Sequence, residues 1–525
     1  MDSRLRGNDA NFRYRAYLAA FVITLFAQPT NAASFYDIAF DDLQARYQLP
    51  GLAIGVIEDG KVVYARAAGE LEAGSGKAVT ADTLFKIASN SKAMTTSLIA
   101  RLVATKKLDW DDPVTKYLPA FHMYDPWVTK NMLVRDLLVH NSGLREGAGD
   151  LMLWPEPNTF TRADIVHGVA YLKPQIAFRS GYAYDNLLYV VAGEVAAAAG
   201  GAPYEELLRR EVFAPMGLSC RVGEWRRADT PDLAQPHMRK DGHNVVINAD
   251  ADSVPVITSA AAGGIRCSLN DMLSWARNWL VPTPPQLAWL DAEQRRPLWT
   301  AHTPMPISKH RHEWGNTHFY AYGYGWRLAD VDGVWSVSHT GTLSGMYSVL
   351  GLFPDQRNGF VMLTNGEGSE ARSVLTALMT KHFTAPAEHH SVAEYADAAK
   401  KTDAAAAPAK HVPDVSARSA ATVAQLQPWL GVWRDPWFGE VSICRRDDAV
   451  RFAAAKSPLL AGRVMQLGKR YLIDWDDERV DAQAWLDFAE TGRHERTMSM
   501  AKVDPDADFS FDFEDLSFRR ERDCE

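Results

Sequence analysis

The sequence predicts an α+β chain: one antiparallel sheet flanked by helices, an inserted helical lobe, and a small C-terminal β-barrel domain. Three observations carry this. A hairpin pattern begins at Gly51, and comparable strand patterns return only at 334–364. Helical periodicity fills most of the interval. After about residue 425, short strand-like runs take over. Strands at both ends with helices between them place both ends in one sheet and the helices in an insertion.

Taken in order, residues 1–33 read as a secretory signal peptide. Arg13 and Arg15 precede the apolar run 16–27, followed by Gln28, Pro29 and the small-residue stretch Thr30-Asn31-Ala32-Ala33. A positive flank, a short apolar core and a Thr-x-Ala site fit export and cleavage. The run is shorter than the ~20 residues a membrane span needs. The expectation is a transient contact with the membrane through the signal peptide only, and a periplasmic or secreted protein.

Residues 34–383 are expected to form the first domain. Residues 34–48 have helical spacing through Phe35, Ile38, Leu43 and Tyr47. Two apolar runs then flank Asp59-Gly60, a hairpin signal. Helical patterns occupy 88–106, 132–140, 162–171, 185–199, 203–213 and 269–280. Strand patterns follow at 334–341, 345–353 and 360–364, then a helix at 369–383. The Ala- and Lys-rich stretch 384–424 reads as a linker, partly helical. Residues 425–525 form the β-domain, with strands at 431–433, 440–444, 449–453, 471–475 and 485–488. Phe509, Phe511 and Phe513 alternate with Ser510 and Asp512, the period-2 pattern of a half-buried strand.

Composition narrows the function. The net charge is −9 with no long Lys/Arg block, which speaks against nucleic acid and anionic membrane as partners. Four Cys without a C-x-x-C pair suggest neither a zinc knuckle nor a thioredoxin site, and spacing leaves a Cys220–Cys267 bridge open. No cofactor is implied.

The chemistry begins at Ser89-Asn90-Ser91-Lys92. On a helix, positions i and i+3 share a face, so the Lys amine reaches the Ser hydroxyl. Serine needs a neighbour to take its proton, and lysine serves only when burial or nearby positive charge lowers its pKa. Alone, the pattern is more often a helix end with a solvated Lys. It recurs as Ser499-Met500-Ala501-Lys502 in a strand-like run, where residues three apart face opposite ways and form no dyad. Two further elements change the weighing: Tyr184-Asp185-Asn186, before a helix, and His339-Thr340-Gly341-Thr342, ending a strand. They follow Ser89 by 95 residues to Tyr184 and a further 155 to His339.

In this order, S-x-x-K, Y-x-N and H-T-G resemble the penicillin-recognising serine hydrolases, in the class C β-lactamase and DD-peptidase branch. Leu108-Asp109-Trp110-Asp111-Asp112-Pro113, His140-Asn141-Ser142-Gly143-Leu144, Gly263-Gly264 and Tyr324-Gly325-Trp326 agree with that likeness, which spans about 36–383. The end of the chain, from Leu430-Gly431-Val432-Trp433 on, resembles the lipocalin-like β-domain appended to some β-lactamase-related peptidases. The resemblance implies a β-lactamase/transpeptidase-like fold and these roles. Ser89 attacks and forms an acyl-enzyme. Lys92 and Tyr184 move protons, with the acylation base open between them. Asn186, His339, Thr340, Gly341 and Thr342 bind substrate, and backbone N–H groups of Ser89 and Thr342 form the oxyanion hole.

The H-T-G variant stands where many relatives carry K-T-G, and a His with a reference pKa of ~6.5 is mostly neutral at pH 7. The reading is therefore a peptidase on D-residue peptides, or an esterase. A β-lactamase is the alternative, and a slow-turnover penicillin-binding receptor the second. A nearby arginine could restore the charge, with Arg266 as candidate. Among rival classes, the cluster His310, His312 and His318 lacks H-E-x-x-H, and no G-x-S-x-G marks an α/β-hydrolase. The β-domain carries no matching catalytic motif, so it is expected to limit access rather than supply chemistry. The substrate is a small molecule or peptide.

Overall fold

The computed structural model of the chain describes residues 34–524, apart from Pro231, Ser344, 407–411, Thr491, Arg493 and His494. The signal-peptide reading of 1–33 lies outside the described residues.

Helix α1, Phe35–Arg46, starts at Ser34, whose Oγ accepts the Asp37 N–H as an N-cap. Strands β1, Gly51–Glu58, and β2, Lys61–Gly69, form the hairpin. The helical insertion follows, including α2, Ser91–Ala104, α3, Leu187–Gly200, and α4, Leu269–Leu280. The chain returns to the sheet through β3, Thr303–Pro304, β4, Tyr320–Tyr322, β5, Arg327–Val331, β6, Val334–Leu343, β7, Met346–Phe353, and β8, Asn358–Thr364, and ends with α5, Ser369–Thr384. The sheet order is β2-β1-β8-β7-β6-β5-β4-β3, antiparallel throughout. Leu52 pairs with Thr364, so the two ends of the domain meet in adjacent strands of the sheet.

Strand β1 reads as an unbroken apolar run because both of its faces are covered. Leu52, Ile54 and Val56 pack with Phe40, Leu43 and Leu375 from α1 and α5. Ala53 and Ile57 point the other way, into the core shared with the helical lobe. The sequence did not foretell β3, β4 and β5, which are too short for alternation to register.

Within 384–424, helix α6, Val392–Ala406, lays Val392 and Ala396 into the core beneath α1 and α5. Beyond it a barrel closes. Its strands are β9, Gly431–Asp435, β10, Gly439–Arg446, β11, Ala449–Ala454, β12, Ala461–Leu467, β13, Arg470–Trp475, β14, Ala484–Glu490, β15, Arg496–Lys502, and β16, Ser517–Arg522. They pair in the order β12-β11-β10-β9-β16-β15-β14-β13, and β12 also pairs with β13, leaving no open edge in the ring. Cys220 is bonded to Cys267, and Cys444 to Cys524. The second bridge fastens the C-terminal segment to β10.

One expected strand is absent. The Phe509–Phe513 stretch is a loop of turns ending in a 3₁₀ turn, Phe513–Asp515. Its acidic residues hold turns instead of a ladder: Asp504 accepts the Asp506 N–H at 2.9 Å, and Asp508 accepts the Ser510 N–H at 2.8 Å. The aromatic rings alternate because they serve different neighbours. Phe513 stacks on Trp475 of the barrel, while Phe509 meets Tyr184 of the first domain edge-on.

Candidate active site

Ser89 sits where a 3₁₀ turn, Ala88–Asn90, runs into α2. Ala88 has φ of 49°, in the left-handed region that an L side chain occupies at a cost of about 1 kcal/mol. The turn is held against β6 and β7. Asn90 donates to Ser348 Oγ at 2.8 Å, and that hydroxyl donates to Ile87 O at 2.7 Å. Gly341 makes the approach feasible: a Cβ there would lie 2.3 Å from Ile87 O and 2.4 Å from Ser348 Oγ.

Lys92 is completely buried. Its Nζ lies 3.2 Å from Ser89 Oγ, 2.7 Å from Asn186 Oδ1 and 2.9 Å from Ala262 O. Burial brings its pKa from 10.5 down to about 7; Asp150 and Asp185 oppose the shift, and Arg327 adds to it. A free amine carries two N–H bonds and one lone pair. Asn186 Oδ1 and Ala262 O are acceptors only, so they take the two N–H bonds and leave the lone pair facing the Ser89 O–H.

Tyr184 is buried and lines the same cleft as Ser89. Burial pushes its phenol up to about 12, so it keeps its proton at neutral pH. Lys92 Nζ stands 4.7 Å from the centre of this ring and 5.1 Å from that of Tyr189. Asn186 caps α3 without spending its side chain on the helix end. Its amide instead bridges Lys92 and Asp150, donating to Asp150 Oδ2 at 2.8 Å.

Strand β6 divides its residues by face. Thr340 and Thr342 line a cleft of about 480 Å³ that also contains Ser89, Tyr184 and Asn186. His339 lies behind the wall, completely buried, instead of reaching substrate. Its Nδ1–H donates to Thr340 O at 2.7 Å, which leaves Nε2 to accept the Tyr322 O–H at 2.9 Å. Burial, with Arg327 and Lys92 nearby, presses its pKa well below 6.5. His140 is also buried and held neutral; its Nδ1 accepts the Asp185 N–H at 3.0 Å.

The positive charge at this strand is not Arg266. That guanidinium is buried and makes two 2.6 Å bonds to Asp250. Arg327 lines the cleft and donates to Thr340 Oγ1 at 2.7 Å, while Arg372 holds Gly341 O at 2.6 Å and Thr342 Oγ1 at 2.7 Å. Arg327 directly follows Tyr324-Gly325-Trp326, the one signal in the sequence that pointed near it. The second S-x-x-K lies on β15, with Ser499 exposed. His310 and His312 ride on the short helix Lys309–Gly315, and among the described residues no three His, Cys, Asp or Glu side chains stand as a metal-ligating group.

A family model described as Beta-lactamase matches residues 37–382. The chain belongs to the beta-lactamase family. Membership makes it a serine hydrolase by family, with Ser89 and Lys92 meeting inside the matched span. Penicillin-binding protein 4 of Amycolatopsis lactamdurans is 28% identical over 331 residues, covering 62% of this chain and 84% of that protein. D-aminopeptidase of Cereibacter sphaeroides is 26% identical over 360 residues, 65% of this chain and 62% of the other. D-alanyl-D-alanine-carboxypeptidase/endopeptidase AmpH of Escherichia coli (strain K12) is 25% identical over 262 residues, 48% and 63%. The chain thus spans less than two thirds of the latter two. The octameric penicillin-binding protein homologue from Pyrococcus abyssi shares the fold, with a TM-score of 0.56 at 17% identity, over 92% of this beta-lactamase-family chain and 98% of that one.

Proposed function

We propose that the protein hydrolyses amide or ester bonds through an acyl-enzyme on Ser89, acting on short peptides with D-residues or on small esters. The observation that carries this is the Lys92 amine, 3.2 Å from Ser89 Oγ with two acceptor oxygens claiming its other bonds. Lys92 takes the Ser89 proton as the oxygen bonds to the substrate carbonyl carbon. The oxyanion is held by backbone N–H groups of Ser89 and Thr342. Tyr184 passes a proton to the departing nitrogen or oxygen and is reprotonated from Lys92. Water then enters by the same route and releases the acid.

The cleft carries Glu146, Glu367, Glu478, Asp481 and Asp508 against Arg327 and Arg479. That excess of carboxylates suits a substrate with a free ammonium group and weakens binding of an anionic β-lactam. A second reading rests on Arg327 and Arg372 beside Thr340 and Thr342: these can receive a substrate carboxylate, as a carboxypeptidase or β-lactamase requires. A panel of nitrocefin, p-nitrophenyl acetate, D-alanyl amides and D-alanyl dipeptides separates the two. Preference for D-alanyl amides or esters supports the first reading; nitrocefin turnover exceeding the rest by orders of magnitude overturns it. Export to an oxidising compartment is part of the proposal, and two disulfides with no free cysteine support it. N-terminal sequencing of the exported protein tests cleavage near Ala32 or Ala33; an intact 1–33 segment on cytoplasmic protein refutes it.

A further inference from the structure

The loop between β15 and β16 leaves the barrel and docks beside the catalytic lysine. Asp512, buried, accepts the N–H groups of Gly149 and Leu151 at 2.5 and 3.1 Å, gripping both neighbours of Asp150. Gly147, at φ +72°, faces Phe509 so closely that a Cβ would fall 2.6 Å from its ring and from its carbonyl oxygen. Between these two anchors, Ser510 Oγ donates to Asp150 Oδ2 at 2.9 Å. The same oxygen accepts Asn186 Nδ2, and Asn186 Oδ1 accepts Lys92 Nζ. Asp150 Oδ1 is buried and has no partner among the described residues.

We infer that Ser510, from the C-terminal domain, is a positioning residue for the catalytic lysine, acting through Asp150 and the amide of Asn186. The inference rests on the Ser89–Lys92 reading above. An amide can present either end to the lysine, and only its oxygen serves as an acceptor for an amine N–H. An acceptor oxygen at Asp150 fixes the nitrogen end there. By donating to that oxygen, Ser510 keeps it from carrying a proton. Without the hydroxyl, Oδ2 can take up a proton and donate it to the amide oxygen; the amide turns, and its nitrogen then faces Lys92. The arrangement that aims the lysine lone pair at Ser89 is lost. Burial already raises Asp150 well above the usual carboxylate range, and Ser510 and Asn186 are the hydrogen bonds that oppose it.

The test is pre-steady-state acylation by p-nitrophenyl acetate across pH 5–9, with the full-length protein, Ser510→Ala and Ser510→Thr. Ser510→Ala should acylate about tenfold more slowly at the plateau, the scale of one hydrogen bond to a charged group. Its midpoint should move to lower pH. Asp150, Asp185 and Arg327 set the charge around Lys92, His140 and His339 being neutral, and Asp512 and Asp185 face Asp150. With Asp150 less often ionised, the ammonium form loses its counter-charge. Substrate affinity should hold, and Ser510→Thr should restore both rate and midpoint. Wild-type rate and midpoint in Ser510→Ala, or a change confined to KM, overturns the inference. A fluorophosphonate that leaves Ser89 of the wild-type protein unlabelled overturns the underlying reading instead.

Discussion

Replacing Tyr184 by Phe removes one of the two candidate bases and leaves the pH dependence of acylation to the other. The size of the effect follows from burial. With a pKa of about 7, roughly half of the Lys92 side chains are free amines at pH 7. At the reference value the fraction would be about three in ten thousand, so burial supplies roughly a thousandfold more base, worth about 4–5 kcal/mol of differential solvation. Tyr184, pushed up to about 12, offers almost no phenolate there. The burst of p-nitrophenol from p-nitrophenyl acetate should therefore rise through a midpoint near pH 7 and level off by about pH 9, in the wild-type protein and in Tyr184→Phe alike. The variant should be only a few fold slower on this ester, whose leaving group needs no proton, and about a hundredfold slower on a D-alanyl amide. A midpoint at or above pH 10, or disappearance of the rise in Tyr184→Phe, refutes the assignment of Lys92 as base. The same depression bears on stability. Between pH 7 and 10.5 the unfolded chain holds a lysine proton that the folded chain has released. In that window the contribution of Lys92 to stability increases with pH, and below pH 7 the buried ammonium penalty is present in full.

Ser89→Ala should lower kcat by about 10⁴ to 10⁶, because nucleophile and base act as a unit. Mass spectrometry should find the fluorophosphonate adduct on Ser89, and an adduct on Ser499 would contradict this. Gly341→Ala should destabilise the fold by about 1–3 kcal/mol and suppress acylation, since its methyl would sit 2.3 Å from Ile87 O. Unchanged melting and unchanged burst kinetics in that variant would mean that β6 does not brace the Ser89 turn.

What the sequence made legible was local. Ser89 and Lys92 share a helix face by spacing, and they do meet. The hairpin at Gly51, the long helices and most of the barrel strands contain enough residues for their period to show, whereas β12 and β16 escaped it. Long-range placement was hidden. Arg327 reaches the cleft and Arg372 the Thr342 hydroxyl on long side chains from neighbouring elements, and Asp150 belongs to no motif. The Cys444–Cys524 bridge joins residues 80 apart with no local trace. Phe509, Phe511 and Phe513 imitate a strand because a period of two records alternation, whatever the rings pack against. Strand arithmetic did contain one warning. Four successive residues of β6 cannot all face one side, so grouping His339 and Gly341 with Thr340 and Thr342 as substrate contacts conflicts with the pleat.

The pairing of β1 with β8 also orders events in time. Gly51 O accepts the hydroxyl of Thr364, a partner 313 residues further along the chain. A ribosome must make most of the first domain before β1 gains its second neighbour, and the strand that braces the Ser89 turn is likewise made late. Such non-local closure is slow and leaves an apolar segment waiting. It also means that a half-made chain holds Ser89 and Lys92 without the strand that braces the Ser89 turn.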